Sequence, residues 1–412
     1  MIKASVVSIG NEILSGQTID TNAAYLSREL LSVGIPVVSS YTAGDDVEAI
    51  SRAIHYAYSD ADLILVTGGL GPTDDDVTRQ ALARFLGVEL EFREELLDQI
   101  KEFFANRDRE MTGKNKVQAY IPAGAQSLAN RVGTAPGILS ETQDKLIAVL
   151  PGVPSEMKKM LEDSLMPKLK QLAGGQVVLV RKLKCFGEGE SNIAQMLGSI
   201  MERGRNPQVN CTVHGGVITL HIVAQAGNRG IAERMLERDE KTLREVLGAL
   251  VFGRDEQTLA DVVGKKLTMQ GKTVAVVESC TGGLLAKMLT DTPGASSYFI
   301  QGWVTYTDSS KTSELGVAPG LIKQHGAVSE QVACAMAEGA RRKAATDFAI
   351  GITGIAGPTG ATEHKPVGLV YISVVSGSDC LTSRNVFSHG RSAVRLRAAL
   401  TALDMLRLQL GA

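Results

Sequence analysis

Twice in this chain an apolar, mostly β-branched run stops in a cluster of small residues, and a helical pattern takes over. At 62–67 the run Asp62-Leu63-Ile64-Leu65-Val66-Thr67 enters Gly68-Gly69-Leu70-Gly71-Pro72-Thr73-Asp74-Asp75-Asp76. At 274–278 the run Val274-Ala275-Val276-Val277-Glu278 enters Ser279-Cys280-Thr281-Gly282-Gly283, and helical spacing resumes at Leu284. Short apolar runs bounded by turn residues predict buried strands. The turn after each strand gathers backbone N–H groups at a helix start, where negative charge is favoured. The second turn also holds two possible nucleophiles, a hydroxyl and a thiol. A plain turn with Ser279 or Thr281 capping the helix accounts for the same residues.

The alternation extends well beyond these turns. Strands are predicted at 6–9, 36–41, 62–67, 136–140 and 146–150, with helices at 21–33, 46–58, 77–86, 94–106 and from 151 to about 172. Strand and helix alternating over roughly 170 residues imply an α/β domain with a mainly parallel sheet covered on both faces. Ligands of such sheets lie beyond the carboxyl ends of the strands. Residues 10–12, 44–46, 67–76 and 151–156 fall at that edge. After Ala173-Gly174-Gly175 the rhythm changes to a strand, a Gly187-Glu188-Gly189-Glu190 loop, a hairpin about His214-Gly215-Gly216 and a long helix over 229–247. This is a small α+β unit. Its loop is of a kind that clamps a nucleic-acid backbone, but Glu188 and Glu190 would repel phosphate, so a connector is the preferred reading. A third unit holds the second turn, a strand at 299–305 leading to Tyr306 and Lys311, a helix at 329–343, a strand at 347–352 leading to Thr353-Gly354-Ile355-Ala356-Gly357-Pro358, an antiparallel pair and a closing helix from Arg391.

Lys+Arg 43 against Asp+Glu 45 gives a net charge of −2, which lends no support to nucleic-acid binding. The cysteines, at 185, 211, 280, 334 and 380, are odd in number and form no C-x-x-C pair. That pattern predicts reduced thiols without a disulfide framework, in a cytoplasmic protein. No signal-type leader is evident, and no apolar run approaches the length of a membrane span.

Three strand ends of the third unit can build one site from Ser279, Tyr306, Lys311 and Thr353. A serine hydroxyl needs a base, and a lysine whose pKa burial lowers can serve. A solvated surface lysine explains Lys311 equally, and a small packing residue explains Cys280. The residues alone do not decide between Ser279 and Cys280. Arg391 is either a phosphate clamp or a surface arginine. In the first unit, Gly68, Gly69 and Gly71 can bring backbone N–H groups to a phosphate. Asp74, Asp75, Asp76 and Glu12 offer hard oxygen ligands to a divalent cation. An acidic helix start explains the same aspartates.

Glu278-Ser279-Cys280-Thr281-Gly282-Gly283, Val304-Thr305-Tyr306 with Lys311, His325-Gly326-Ala327-Val328-Ser329 and Gly354-Ile355-Ala356-Gly357-Pro358 resemble the C-terminal domain of the CinA family, of the PncC nicotinamide mononucleotide deamidase type. Gly10-Asn11-Glu12, the 67–76 stretch and Pro151-Gly152-Val153-Pro154-Ser155-Glu156-Met157 resemble that family's MogA/MoeA-like N-terminal domain. The middle unit looks like its KH-type connector. The resemblance runs the length of the chain and implies domains at 1–172, 175–253 and 256–412, the first a three-layer α/β/α domain.

It further implies hydrolysis of nicotinamide mononucleotide to nicotinate mononucleotide and ammonia. Ser279 is then the nucleophile, Lys311 its base and Tyr306 a further catalytic residue, with Cys280, Thr281, Gly282, Gly283, Thr353, Gly354 and Arg391 binding substrate and no cofactor. For the first unit it implies an ADP-ribose pyrophosphatase. Thr67, Gly68, Gly69, Gly71, Asn11 and Ser155 would bind phosphate, and Asp76, Asp74 and Glu12 would hold magnesium, manganese or cobalt. Asp76 is expected to open the helix and to be the principal ligand. A homodimer is expected by the same resemblance. The competing readings are a molybdopterin-type or inactive binding module at the N-terminus, and a non-enzymatic competence or DNA-repair partner.

Overall fold

The computed structural model describes residues 2–142 and 145–411. The chain divides into two compact units. One holds residues up to Leu179 with Ala224–Arg234, and the other holds Val180–Val223 with residues from Met235 onward.

The first unit is built on β1 (Ala4–Ile9), α1 (Thr21–Ser32), β2 (Val37–Ala43), α2 (Val47–Asp60), β3 (Leu63–Thr67), α3 (Thr78–Leu86), α4 (Glu94–Ala105), β4 (Gln126–Leu128), β5 (Gly137–Thr142), β6 (Lys145–Leu150) and α5 (Pro154–Met160). Its sheet runs β2-β1-β3-β6-β5-β4. The first four strands are parallel, and β5 and β4 turn antiparallel. The inner strands β1, β3 and β6 are buried on both faces and mainly apolar, whereas the edge strand β2 alternates, with Val38, Ser40 and Thr42 exposed. Val7, Ile9, Ile64 and Val66 face the core under α2, whereas Val6, Leu63 and Leu65 face α1. Asp20 and Asp46 cap α1 and α2 by accepting from Ala23 and Ala49 N–H.

The connector comprises β7 (Val177–Cys185), α6 (Glu190–Leu197), β8 (Gln208–His214), β9 (Val217–Ala226), α7 (Arg229–Leu247) and β10 (Val251–Arg254), with sheet order β8-β9-β7-β10. The β8–β9 hairpin is in register about Gly215-Gly216, from His214↔Val217 to Gln208↔Val223.

The C-terminal part follows with α8 (Leu259–Met269), β11 (Val274–Glu278), α9 (Leu284–Thr290), β12 (Phe299–Val304), α10 (Asp308–Leu315), α11 (Glu330–Ala344), β13 (Phe348–Gly354), β14 (Leu369–Ser376), β15 (Asp379–Val386) and α12 (Gly390–Gln409). The sheet order is β12-β11-β13-β14-β15. Strand β11 pairs parallel with both neighbours, while β14 and β15 are the expected antiparallel pair. α8 and α12 cover one face, with Val263, Leu267, Ala399 and Leu403 on the core side. α11 covers the other through Val332, Met336 and Ala340.

One sequence expectation is overturned here. Cys334 in α11 and Cys380 in β15 are disulfide-bonded, with Cα atoms 6.3 Å apart. They are 46 residues apart in sequence, and only the packing of α11 on the sheet brings their Cα atoms within bridging range. Cys185, Cys211 and Cys280 are free. Among the described residues, no helix is long and apolar enough to cross a membrane.

Candidate functional site

The carboxyl end of β11 lies between two parallel neighbours. Glu278 pairs with Val304 on one side and with Ile352 on the other. Ser279, Thr305 and Thr353 therefore issue from three adjacent strand ends, where ligands of such sheets bind. The ladder continues one step into the loops: Ser279 N donates to Ile352 O at 3.0 Å, and Thr305 N to Glu278 O at 2.9 Å.

What holds the turn was not foreseen. Glu278 is fully buried. Its Oε2 accepts from Gly283 N at 3.0 Å and Leu285 N at 3.1 Å, and its Oε1 from Ala286 N at 2.8 Å. The N-terminus of α9 is thus occupied by the chain's own carboxylate, which corrects the expectation that those amides await a ligand anion. Burying a carboxylate is costly unless such donors satisfy it. From the other side, Arg395 donates Nε and Nη2 to Thr281 O at 3.1 and 2.7 Å. Gly282 N closes the turn onto Ser279 O at 3.1 Å. The backbone N–H of Thr281 donates to nothing among the described residues, and that of Cys280 meets only its own thiol sulfur. The anion-binding capacity of the turn therefore sits on those two amides, directly after Ser279.

Ser279 is 9% exposed and its hydroxyl makes no hydrogen bond among the described residues. Burial pushes the Cys280 thiol up to about 11, with its own backbone N–H opposing, Glu278 adding, and Arg391 and Arg395 opposing. Lys311 lies in the first turn of α10, whose start is a Thr307–Ser310 capping box. It is 1% exposed. Its Nζ donates to Thr305 O at 3.0 Å and reaches Thr307 O at 3.5 Å, but does not bond Ser279. Burial lowers its pKa, and Asp308 and the Cys280 thiol act against that.

Tyr306 and Arg391 meet: Arg391 Nη2 donates to Tyr306 Oη at 3.0 Å and Nη1 to Gly357 O at 3.0 Å. Thr353 Oγ1 donates to Ala327 O at 2.8 Å, which ties β13 to the 325–329 segment. Gly354 serves packing, since a Cβ there would lie 2.7 Å from Leu369 O. Lys365 staples the same segment by donating to His325 O at 2.8 Å and Val328 O at 2.7 Å.

In the first unit, Thr67 Oγ1 donates to Pro151 O at 3.0 Å and accepts from Asn22 Nδ2 at 3.2 Å. Asn22 Nδ2 also donates to Gly152 O at 2.8 Å. Gly68 adopts φ +109°, and a Cβ there would lie 2.5 Å from Ile9 O. The loop is anchored by Arg79, a buried guanidinium that donates to Leu70 O at 2.7 Å and Gly71 O at 2.8 Å. Burial brings its pKa down to about 10, against the pull of Asp76. With those carbonyls engaged, the N–H groups of Gly69, Leu70 and Gly71 donate to nothing among the described residues. Consecutive free amides of this kind form an anion-binding nest. They border a cavity of about 330 Å³ walled by Pro72, Asp76, Gln118, Pro151, Gly152 and Glu156.

The expected metal ligands do not converge. Asp76 does not open α3, which begins at Thr78. Its Oδ2 instead accepts from Thr73 N at 2.9 Å and Thr73 Oγ1 at 2.5 Å. The short-range partner wins because an aspartate side chain readily bonds a backbone N–H within its own turn. The Asp74 side chain is 98% exposed, with Lys114 at 3.6 Å. Glu12 folds back so that a Cβ at Gly10 would lie 2.5 Å from its Oε1. Among the described residues no group of three or more His, Cys, Asp or Glu can hold a metal ion. The residues present therefore do not fit a resident cation. Asn11 N donates to Asp45 Oδ2 at 3.0 Å, and Ser155 is exposed in the first turn of α5, its side chain making no hydrogen bond among the described residues.

Residues 5–171 match the probable molybdopterin binding domain, residues 180–253 the KH domain of damage-inducible protein CinA, and residues 256–410 the CinA C-terminal domain. A CinA-like protein of Kosmotoga olearia is 39% identical over 98% of this chain and 98% of its own length. The chain belongs to the CinA family. A competence-damage inducible protein of Caldicellulosiruptor saccharolyticus is 40% identical, again over 98% of both chains. A solved CinA structure from Thermoplasma acidophilum, described as of unknown function, covers 40% of this chain and 97% of its own at 36% identity and TM-score 0.38. In this CinA-family chain, sequence reasoning missed Glu278, Arg395, Asn22 and Arg79. Glu278 left one signal, a lone acid closing an otherwise apolar strand. The other three act on carbonyls or side chains remote in sequence or across a loop and left none.

Proposed function

We propose that the C-terminal site hydrolyses the carboxamide of nicotinamide mononucleotide. One observation carries this reading: Lys311 is buried beside the Ser279 turn, bonded to backbone carbonyls and, among the described residues, to no carboxylate. Burying a lysine without a counter-ion is costly and favours its neutral form, which is the form a base requires.

In the proposed reaction Ser279 Oγ attacks the amide carbon while its proton passes to Lys311 Nζ. The oxyanion is met by the Cys280 and Thr281 amides. Lys311 returns the proton to the departing nitrogen, and ammonia leaves. Water then attacks the acyl-serine, giving up a proton to Lys311, which passes it to Ser279 Oγ as the acyl–oxygen bond breaks, and nicotinate mononucleotide is released with Ser279 and the neutral amine restored. Substrate hydrogen bonds commonly tighten a loose ligand-free geometry of this kind. Arg391 has N–H donors beyond those given to Tyr306 and Gly357 and is the proposed contact for the 5′-phosphate. Arg391→Ala is expected to raise KM for nicotinamide mononucleotide roughly 10- to 150-fold, the loss of one charge-assisted contact. Nicotinamide riboside, which lacks the phosphate, is the control. An equal loss for both would make Arg391 a structural residue.

The nest of Gly69, Leu70 and Gly71 amides supports a second reading, in which the N-terminal cavity takes the pyrophosphate of ADP-ribose and yields AMP and ribose 5-phosphate. No resident metal fits there, so a divalent cation enters as part of the substrate complex; magnesium is commonly held by phosphates and only one or two carboxylates. Both readings are tested by one assay with nicotinamide mononucleotide and ADP-ribose, each with and without EDTA. Ammonia release is expected to survive chelation and ADP-ribose cleavage to stop. Loss of both in folded protein would contradict the Ser-Lys chemistry. Absence of any ADP-ribose cleavage would leave a binding module, of molybdopterin type or otherwise, and absence of both activities would favour a non-enzymatic partner.

A further inference from the structure

We propose that a second cavity of the first unit is a subsite for the adenosine end of a nucleoside-diphosphate substrate, a proposal that rests on the N-terminal reading above. This cavity, of about 380 Å³, lies between α4 and the 129–136 segment. Thr134 lines both it and the cavity at the Gly-rich loop. The segment between them is firmly shaped. Asn130 Oδ1 accepts from Val132 N at 3.1 Å and Gly133 N at 2.8 Å. Its Nδ2 donates to Ala135 O at 2.9 Å and to Glu156 Oε2 at 2.7 Å. Glu156 in turn walls the loop cavity.

Size and chemistry point the same way. Small-molecule pockets run from about 300 to 1,000 Å³, so 330 Å³ at the nest is a small site for a pyrophosphate carrying a sugar at each end. The second cavity supplies the missing room. Its apolar wall is made by Leu96 and Ile100, each 3% exposed, with Phe103 beside them. The side-chain amides of Gln99 and Asn106 line it and have no partner among the described residues. A carboxamide pairs with adenine through the N6 amino group and N7, accepting from one and donating to the other. It cannot do so with hypoxanthine, which presents two acceptors there. Arg131, also without a partner among the described residues, lines the same cavity on the segment shared with the nest. We assign it to the phosphate nearest the nucleoside.

The test is calorimetric titration of the full chain with AMP, IMP and adenosine, which needs no turnover. AMP is expected to bind roughly tenfold or more tighter than IMP, the discrimination one good carboxamide pair provides. The double substitution Gln99→Ala and Asn106→Ala is expected to erase that difference. Arg131→Ala is expected to weaken AMP roughly tenfold or more and leave adenosine unchanged. Unchanged thermal melting and ammonia release check that each variant is folded. Equal binding of AMP and IMP to the unaltered chain, or a preference that survives the double substitution, overturns the proposal. If ADP-ribose is not cleaved but the adenine preference maps to these amides, the catalytic reading falls and the subsite stands. If ADP-ribose is cleaved and the substitutions change nothing, the subsite falls and the catalytic reading stands.

Discussion

Ser279→Ala is expected to abolish ammonia release from nicotinamide mononucleotide, with a loss on the order of 10⁴–10⁶ in kcat, as for a nucleophile that acts as a unit with its base. Cys280→Ala is expected to keep most of the activity. The two residues are neighbours in one turn, and a thiolate is intrinsically the better nucleophile. Burial favours the serine as the proposed nucleophile. With its thiol pushed up to about 11, Cys280 carries a thiolate in roughly one molecule in 10⁴ at neutral pH. Its backbone N–H, by contrast, survives replacement of the side chain, so the proposed oxyanion donor is kept in the alanine variant. A steady-state ammonia assay on both variants, with folding checked by circular dichroism, decides the matter. A dead but folded Cys280 variant beside an active Ser279 variant would reverse the assignment.

Lys311→Met is expected to cost roughly 10²–10⁴ in kcat/KM, the usual contribution of a positioned general base. The pH profile separates this from a packing effect. Only the neutral amine can take the Ser279 proton, so the rate rises with pH as Lys311 loses its own proton. Burial lowers that pKa from the ordinary 10.5. The rising limb of kcat/KM therefore falls below the ordinary lysine range, and below it the rate declines as the ammonium forms. Methionine keeps the volume of the stem and removes the titrating group, so the limb should vanish with the rate. A Lys311→Met enzyme that keeps both the limb and near-normal turnover would show that some other group is the base.

Much of the architecture was legible before any coordinates because its causes are local. Runs of four to six residues that are rich in β-branched side chains and bounded by glycine favour buried strands over helix through their length, composition and flanks. Their alternation with amphipathic helices implies a parallel sheet with a site at its carboxyl edge, and the Ser279 turn, the Gly68–Gly71 loop, Thr353 and Tyr306 are all found at such edges. The long motifs identified the family for the same reason, since each is a contiguous stretch. Tertiary structure alone decided what those residues touch. Lys311 could have been an ordinary surface lysine until α10 carried it under the sheet edge and sealed it. Arg395 lies 114 residues from the carbonyl it clamps, and Asn22 lies 130 from Gly152. The disulfide follows from the packing of a helix on an edge strand, not from any spacing. The acid run shows the opposite limit. Three adjacent aspartates look like a metal site in one dimension, yet Asp76 bonds Thr73 three residues away and Asp74 stays in solvent. A metal site needs side chains converging on a point, and the direction of a side chain is set by backbone turns and by competing hydrogen bonds that a one-dimensional pattern does not record.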